Sequence, residues 1–82
     1  MSIREEVIEA LCQKSADIFG VDKSTLGPDT KFLGDLDAKS VDIVKYCSLL
    51  EDIYEVEVPF MVFSELETFA DAAAFIGEMF GE

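Results

Sequence analysis

Three stretches of this sequence repeat their apolar residues at helical spacing, and no two stretches alternate convincingly as a strand pair. In the first, residues 2–19, Ile3, Val7, Leu11 and Ile18 share one stripe, flanked by Ile8, Ala10 and Cys12. Glu6, Glu9, Gln13 and Asp17 fall opposite. In the second, residues 40–54, Ile43, Cys47, Leu50 and Tyr54 form the inner stripe, with Tyr46 and Ile53 beside it. Asp42, Lys45, Glu51 and Asp52 take the outer face. In the third, residues 69–80, the stripe is Phe69, Ala72, Ala73, Ile76 and Phe80. Boundary signals agree. Glu5 and Glu6 suit the positive end of a helix dipole. Gly20 and Gly81 read as stops. Thr68 reads as an N-cap, with Asp71 as its capping-box partner. A short apolar segment, residues 60–65, has room for one or two turns. The expected class is all-α, a four-helix bundle of three longer helices and one short third helix, because each amphipathic stripe must be buried against another helix.

The segment between the first two helices, residues 21–39, is long for a small domain, and loops of that length are often functional. It carries the turn signal Gly27-Pro28-Asp29 and a further Gly34. Leu26, Phe32, Leu33 and Leu36 are expected to pin it to the helices as an ordered, packed loop. Residues 55–59 alternate and end in Pro59, which implies an extended link with Val56 and Val58 turned inward. The run Phe60-Met61-Val62-Phe63 is expected to pack inward. One short helix cannot bury all four, so an apolar lip beside a functional site is the alternative.

Charge narrows the function. The 82 residues hold 18 acids and 6 bases, a net charge of −12, yet half the residues are apolar. That is enough apolar material for one small core, and residues 1–82 are expected to form a single domain. The acidity disfavours nucleic acid and anionic membrane surfaces as partners. With no histidine, a Ser-His-Asp or Cys-His hydrolase is excluded within the chain, and no metal site is expected. Cys12 and Cys47 match no redox or zinc spacing, which implies two buried thiols in a reducing compartment, the cytoplasm. The start of the chain is too polar for a signal peptide, and no apolar run is long enough to span a bilayer, so membrane insertion is not expected. Residues 46–82 contain nine acids and no base, which marks that half as the face for a basic partner.

The most informative segment is Asp35-Leu36-Asp37-Ala38-Lys39-Ser40-Val41-Asp42-Ile43-Val44, where the long loop meets the second helix. On local sequence Ser40 reads as an N-cap, its hydroxyl accepting an orphan backbone N–H. Val41 and Val44 interrupt the charged face, either as isolated exposed residues or as a contact patch beside Ser40.

This segment resembles the attachment motif of acyl carrier proteins, Asp-Leu-Gly-Ala-Asp-Ser-Leu-Asp, in which the Ser carries a phosphopantetheine arm. The resemblance covers nearly the whole chain. Phe19-Gly20-Val21 is similar to the family's Leu-Gly-Val, Lys31-Phe32-Leu33 to its aromatic-containing triplet, Glu57-Val58-Pro59 to its Glu-Ile-Pro and Thr68-Phe69 to its Thr-Val. The resemblance implies an acyl-carrier four-helix bundle, monomeric, with 4′-phosphopantetheine transferred from coenzyme A onto Ser40. The arm then carries acyl groups as thioesters for fatty-acid or polyketide-type biosynthesis. It implies a non-catalytic carrier served by a phosphopantetheinyl transferase and by acyl-transfer, ketosynthase or ligase-type enzymes with basic docking patches. Asp35, Lys39, Val41, Asp42, Val44, Lys45, Glu51 and Asp52 become the expected partner-recognition residues, and Ile43, Cys47 and Leu50 the lining of an acyl-chain cavity between helices. Capping and attachment need not compete, since free Ser40 could do the first before modification.

The departures from the family pattern are specific. Lys39 stands where the family has Asp, Val41 where it has Leu, and Lys45 where it has a further outward acid. Two expected negative contacts are reversed in sign, which costs affinity for an ordinary basic partner patch. A specialised carrier follows, with an aminoacyl or other acyl cargo as the alternative to fatty-acid or polyketide intermediates. The reading from another class is an acidic helical interaction module that bears no prosthetic group.

Overall fold

The computed structural model describes residues 2–82; residue 1, with which the expected domain begins, lies outside them. Four helices occur in the order α1 (Ile3–Phe19), α2 (Ser40–Tyr54), α3 (Phe60–Phe63) and α4 (Phe69–Met79), with one 3₁₀ turn at Lys23–Thr25. Among the described residues there is no strand, only an isolated bridge between Lys31 and Thr68. The expected all-α bundle with a short third helix is therefore what the chain forms.

The local signals act as read for α1 and α4. Ser2 caps α1 by accepting the Glu5 N–H at 3.1 Å, and the Glu5 carboxylate accepts the Ser2 N–H at 3.0 Å. The Ser2 bonds hold the Glu5 carboxyl below its usual pKa. Gly20 closes α1 in the left-handed region at φ 69°, a conformation without penalty for Gly. Thr68 and Asp71 exchange the same pair of bonds at the start of α4, each at 3.1 Å.

The core is built from one stripe of each helix plus the loop. α1 packs most extensively on α4, through Val7 and Leu11 on one side and Phe69, Ala72, Ala73 and Ile76 on the other, all essentially inaccessible. Phe32 comes from the loop and sits among three aromatic rings, with centroids 5.1 Å from Tyr46, 5.3 Å from Phe63 and 5.0 Å from Phe69. Aromatic rings tilted at these separations add to the burial of their own area. Tyr46 is fully buried, as is Leu50, rather than a flank of α2, and its hydroxyl pairs with the buried Ser15 hydroxyl at 2.6 Å. Ile53, expected beside the stripe, is exposed. Burial pushes the Tyr46 phenol and the Cys12 and Cys47 thiols above their usual pKa, and both cysteines are free.

Two apolar expectations change. Phe32 pins the loop, with Leu26 and Leu36 partly buried beside it, but Leu33 is 71 % exposed. Of the run Phe60–Phe63 only Phe63 reaches the core, while Met61 is 74 % exposed and Phe60 and Val62 are also open. A single turn of helix offers one inward position, so the rest of the run faces out. Val58 is buried and Val56 partly so, as the alternation implied.

Candidate functional site

The loop delivers Ser40 by a short sequence of turns. Asp35 Oδ2 accepts the Lys31 N–H at 2.8 Å, which closes the turn that begins at Lys31. Asp37 takes φ 51°, a left-handed conformation that Asp tolerates better than most residues. The chain then turns back so that Ala38 is buried and its N–H donates to Phe32 O at 3.0 Å. Because Phe32 is fixed in the aromatic cluster, this bond ties the residue two before Ser40 to the core.

α2 begins one residue earlier than the N-cap reading of Ser40 requires. Lys39 is the cap position, with extended backbone at φ −95° and ψ 173°, and Ser40 is the first helical residue. Lysine has no side-chain acceptor, so the return bond alone forms: Asp42 Oδ2 accepts the Lys39 N–H at 2.9 Å. Ser40 is exposed, and its hydroxyl makes no hydrogen bond among the described residues. The backbone N–H groups of Ser40 and Val41 also have no acceptor among the described residues, as expected for the open first turn of a helix. The Lys39 ammonium pairs with Asp37 at 2.9 Å on the exposed surface.

This arrangement fits a phosphate ester on Ser40 Oγ. Among the described residues the hydroxyl is unengaged, two N–H donors without acceptors mark the positive end of a fifteen-residue helix, and Lys39 is the preceding residue. The hydroxyls of Ser2 and Thr68, at the starts of α1 and α4, are already bonded.

Three of the acids expected to meet a partner, Asp35, Asp42 and Glu51, each accept a backbone N–H. Asp42 was placed on the outer face but is 8 % exposed, held inward by its bond to the Lys39 N–H. Glu51 is half-buried, and its Oε2 accepts the Val58 N–H at 2.8 Å, fastening the extended link to α2. Asp35 is engaged at Lys31. Of the four expected recognition acids only Asp52 is exposed with no hydrogen bond among the described residues. What surrounds Ser40 outwardly is Lys39, Lys45, Val41 at 60 % exposure and Val44 at 49 %.

A surface groove of about 620 Å³ opens at Ser40, between the loop and α3. Ile43 lines it, but Cys47 and Leu50 do not; they are buried within the bundle. Beneath α2 the Phe32, Tyr46 and Phe63 rings pack against one another. The groove walls add Phe60, from the run read alternatively as an apolar lip, and Leu33 and Leu66, which the sequence did not assign to a site. Their signal was present as apolar residues off any helical stripe.

Residues 9–76 match the family model described as the phosphopantetheine attachment site. The chain is 36% identical over 72 residues to the acyl carrier protein of Lactobacillus acidophilus, covering 88% of this chain and 90% of that one. It is 33% identical to the acyl carrier protein of Solidesulfovibrio magneticus over the full length of both. It is 30% identical over 76 residues to the meromycolate extension acyl carrier protein of Mycolicibacterium smegmatis, covering 93% of this chain and 77% of that one.

Proposed function

The chain belongs to the phosphopantetheine-attachment family as an acyl carrier protein, and from that premise we propose that Ser40 Oγ is the atom that bears the arm. The cofactor is 4′-phosphopantetheine, and carriers of this family are non-catalytic proteins that interact with partner enzymes. When bound, the arm supplies a thiol that holds an acyl group as a thioester. The protein's own contribution is to present a hydroxyl, to set it against the positive end of α2, and to hold that end in place through Asp42 and the Ala38–Phe32 bond. The observation that carries the assignment is the exposed, unbonded Ser40 hydroxyl on the first turn of α2, while the other two helix-starting hydroxyls are engaged.

The finer reading is a single carrier domain working in the cytoplasm, with its arm installed by a phosphopantetheinyl transferase, for fatty-acid or polyketide-type intermediates. The buried free thiols support a reducing compartment. No described helix is long and apolar enough to cross a membrane. Exposed Lys39 and Lys45 favour a specialised carrier, read by its own enzymes, and keep an aminoacyl or other distinct cargo as the second reading.

Incubation with coenzyme A and a phosphopantetheinyl transferase, followed by intact mass, tests the assignment. One added phosphopantetheine on the native chain and none on Ser40→Ala is the expected pair of results. An addition that survives Ser40→Ala places the arm elsewhere and overturns it.

A further inference from the structure

The large apolar side chains left open on this protein fall into two sets. Leu33, Val41, Val44 and the open residues of α3 belong to the Ser40 end. Ile53, Met79 and Phe80 do not: they stand where α2 and α4 finish, each more than two-fifths exposed. α2 has 15 residues, so at about 1.5 Å per residue its two ends are about 20 Å apart. Tyr54 closes α2, and its ring lies 5.8 Å from that of Phe80, tilted at 57°. Its hydroxyl donates to Glu6 Oε1 at 3.4 Å. The start of α1 is at the same end. The Glu82 carboxylate accepts the Ile3 and Arg4 N–H groups at 2.8 and 3.2 Å, and the Arg4 guanidinium donates to Glu82 O at 2.9 Å. The ends of three helices thus meet around one aromatic pair.

The setting is acidic. Glu6 touches Tyr54, while Asp52, Glu55, Glu78 and Glu82 are within two residues of one ring or the other along the chain. All five are exposed. Arg4, the base at this end, is engaged by Glu82. Burial, and then the charges of Glu6 and Glu82, push the Tyr54 phenol above its usual pKa, so the ring sits in a negative field.

We propose that this far end is a docking surface, separate from the Ser40 end, for a basic segment of a partner protein. An apolar or aromatic anchor of that segment rests on the Tyr54–Phe80 pair, with Ile53 and Met79 adding to the seat, and its lysines or arginines meet the surrounding carboxylates. An apolar centre with aromatic and Met side chains inside a polar rim is the anatomy of a protein contact. Charge selects the occupant, because a rim of carboxylates favours cations. A second copy of this chain would set the same acids against each other, and an anionic vesicle would repel them too. A partner held here leaves the Ser40 hydroxyl and the first turn of α2 uncovered, so the inference goes beyond the attachment reading and does not depend on it.

The test titrates the isotope-labelled full chain with a synthetic helical peptide bearing Leu and Phe on one face and Lys on the other. Amide signals of residues 53–55 and 78–82 are expected to move, with those of residues 39–45 unchanged, and the Kd is expected to be the same before and after loading at Ser40. Met79→Ser with Phe80→Ser is expected to weaken binding about tenfold, and Val41→Ser with Val44→Ser to leave it unchanged. Glu55→Lys with Glu78→Lys, both exposed, is expected to weaken binding several-fold and to flatten its salt dependence. This charge pair decides the matter if the apolar variant fails to fold. The same peptide with Glu in place of Lys is expected not to bind. Shifts centred on residues 39–45, an affinity indifferent to both far-end pairs, or equal binding of the Glu peptide would overturn the proposal. So would a chain that sediments as a dimer and becomes monomeric on Phe80→Ser, since a second copy would then cover this face.

Discussion

At the start of α4 the Thr68 hydroxyl accepts the Asp71 N–H, and the Asp71 carboxylate accepts the Thr68 N–H, each at 3.1 Å. At the start of α2 the carboxylate half of that exchange is present, from Asp42 to the Lys39 N–H at 2.9 Å, but the hydroxyl half is missing. The hydroxyl lies one residue along, on Ser40, and bonds to nothing among the described residues. A displacement of one residue separates a helix start that is closed from one that is chemically open. At α4 the donors are satisfied internally and the hydroxyl is structural. At α2 the same kind of residue is left free for modification, and the Asp42 carboxylate is the side chain that caps the first turn.

This contrast makes Asp42 the most sensitive residue of the pair of caps. Asp42→Ala removes a buried carboxylate and leaves the Lys39 N–H unpaired, so unfolding in urea is expected to show a loss of about 1–3 kcal/mol. A loss no larger than that of an ordinary surface change would show that the half-box does not hold α2. Thr68→Ala is next in size. It is expected to cost about 1 kcal/mol in the same measurement. Loading of the arm is expected to be unchanged, since the Thr68 hydroxyl is engaged with the Asp71 N–H at the start of α4. A drop in the loading rate would show that the two helix starts are coupled.

The smaller effects concern charge at the open end. Lys39→Asp with Lys45→Glu restores the negative contacts of the family pattern. With a transferase whose docking face is basic, the expected result is a kcat/KM raised several-fold, an effect that shrinks as salt is added. An unchanged rate would show that these lysines do not discriminate between partners.

The helices were legible because their signals are periodic and local. α1, α2 and α4 follow from stripes, stops and capping residues within a few positions of each boundary. Ser40 was legible as a special position but not as an uncapped one. Serine is a favoured N-cap, and the residue rule pointed to it; the competing cue was Asp42, three residues after Lys39, which marks the cap one position earlier. Asp35 and Glu51 were not legible as fasteners, because a charge count carries no information about which carboxylates turn back to bond their own backbone. Leu33 and the Phe60–Phe63 run were misjudged for a related reason. A loop and a single helical turn have no repeated stripe to say which apolar residue faces in.

The central claim is that the Ser40 hydroxyl has no structural role in the unmodified protein. Urea unfolding of Ser40→Ala beside the native apo protein tests it directly. The expected result is unfolding free energies that agree within about 0.5 kcal/mol, as for an exposed residue away from any cap. A loss near that of Thr68→Ala would contradict it, because it would mean that the hydroxyl is closing the helix rather than waiting for the arm.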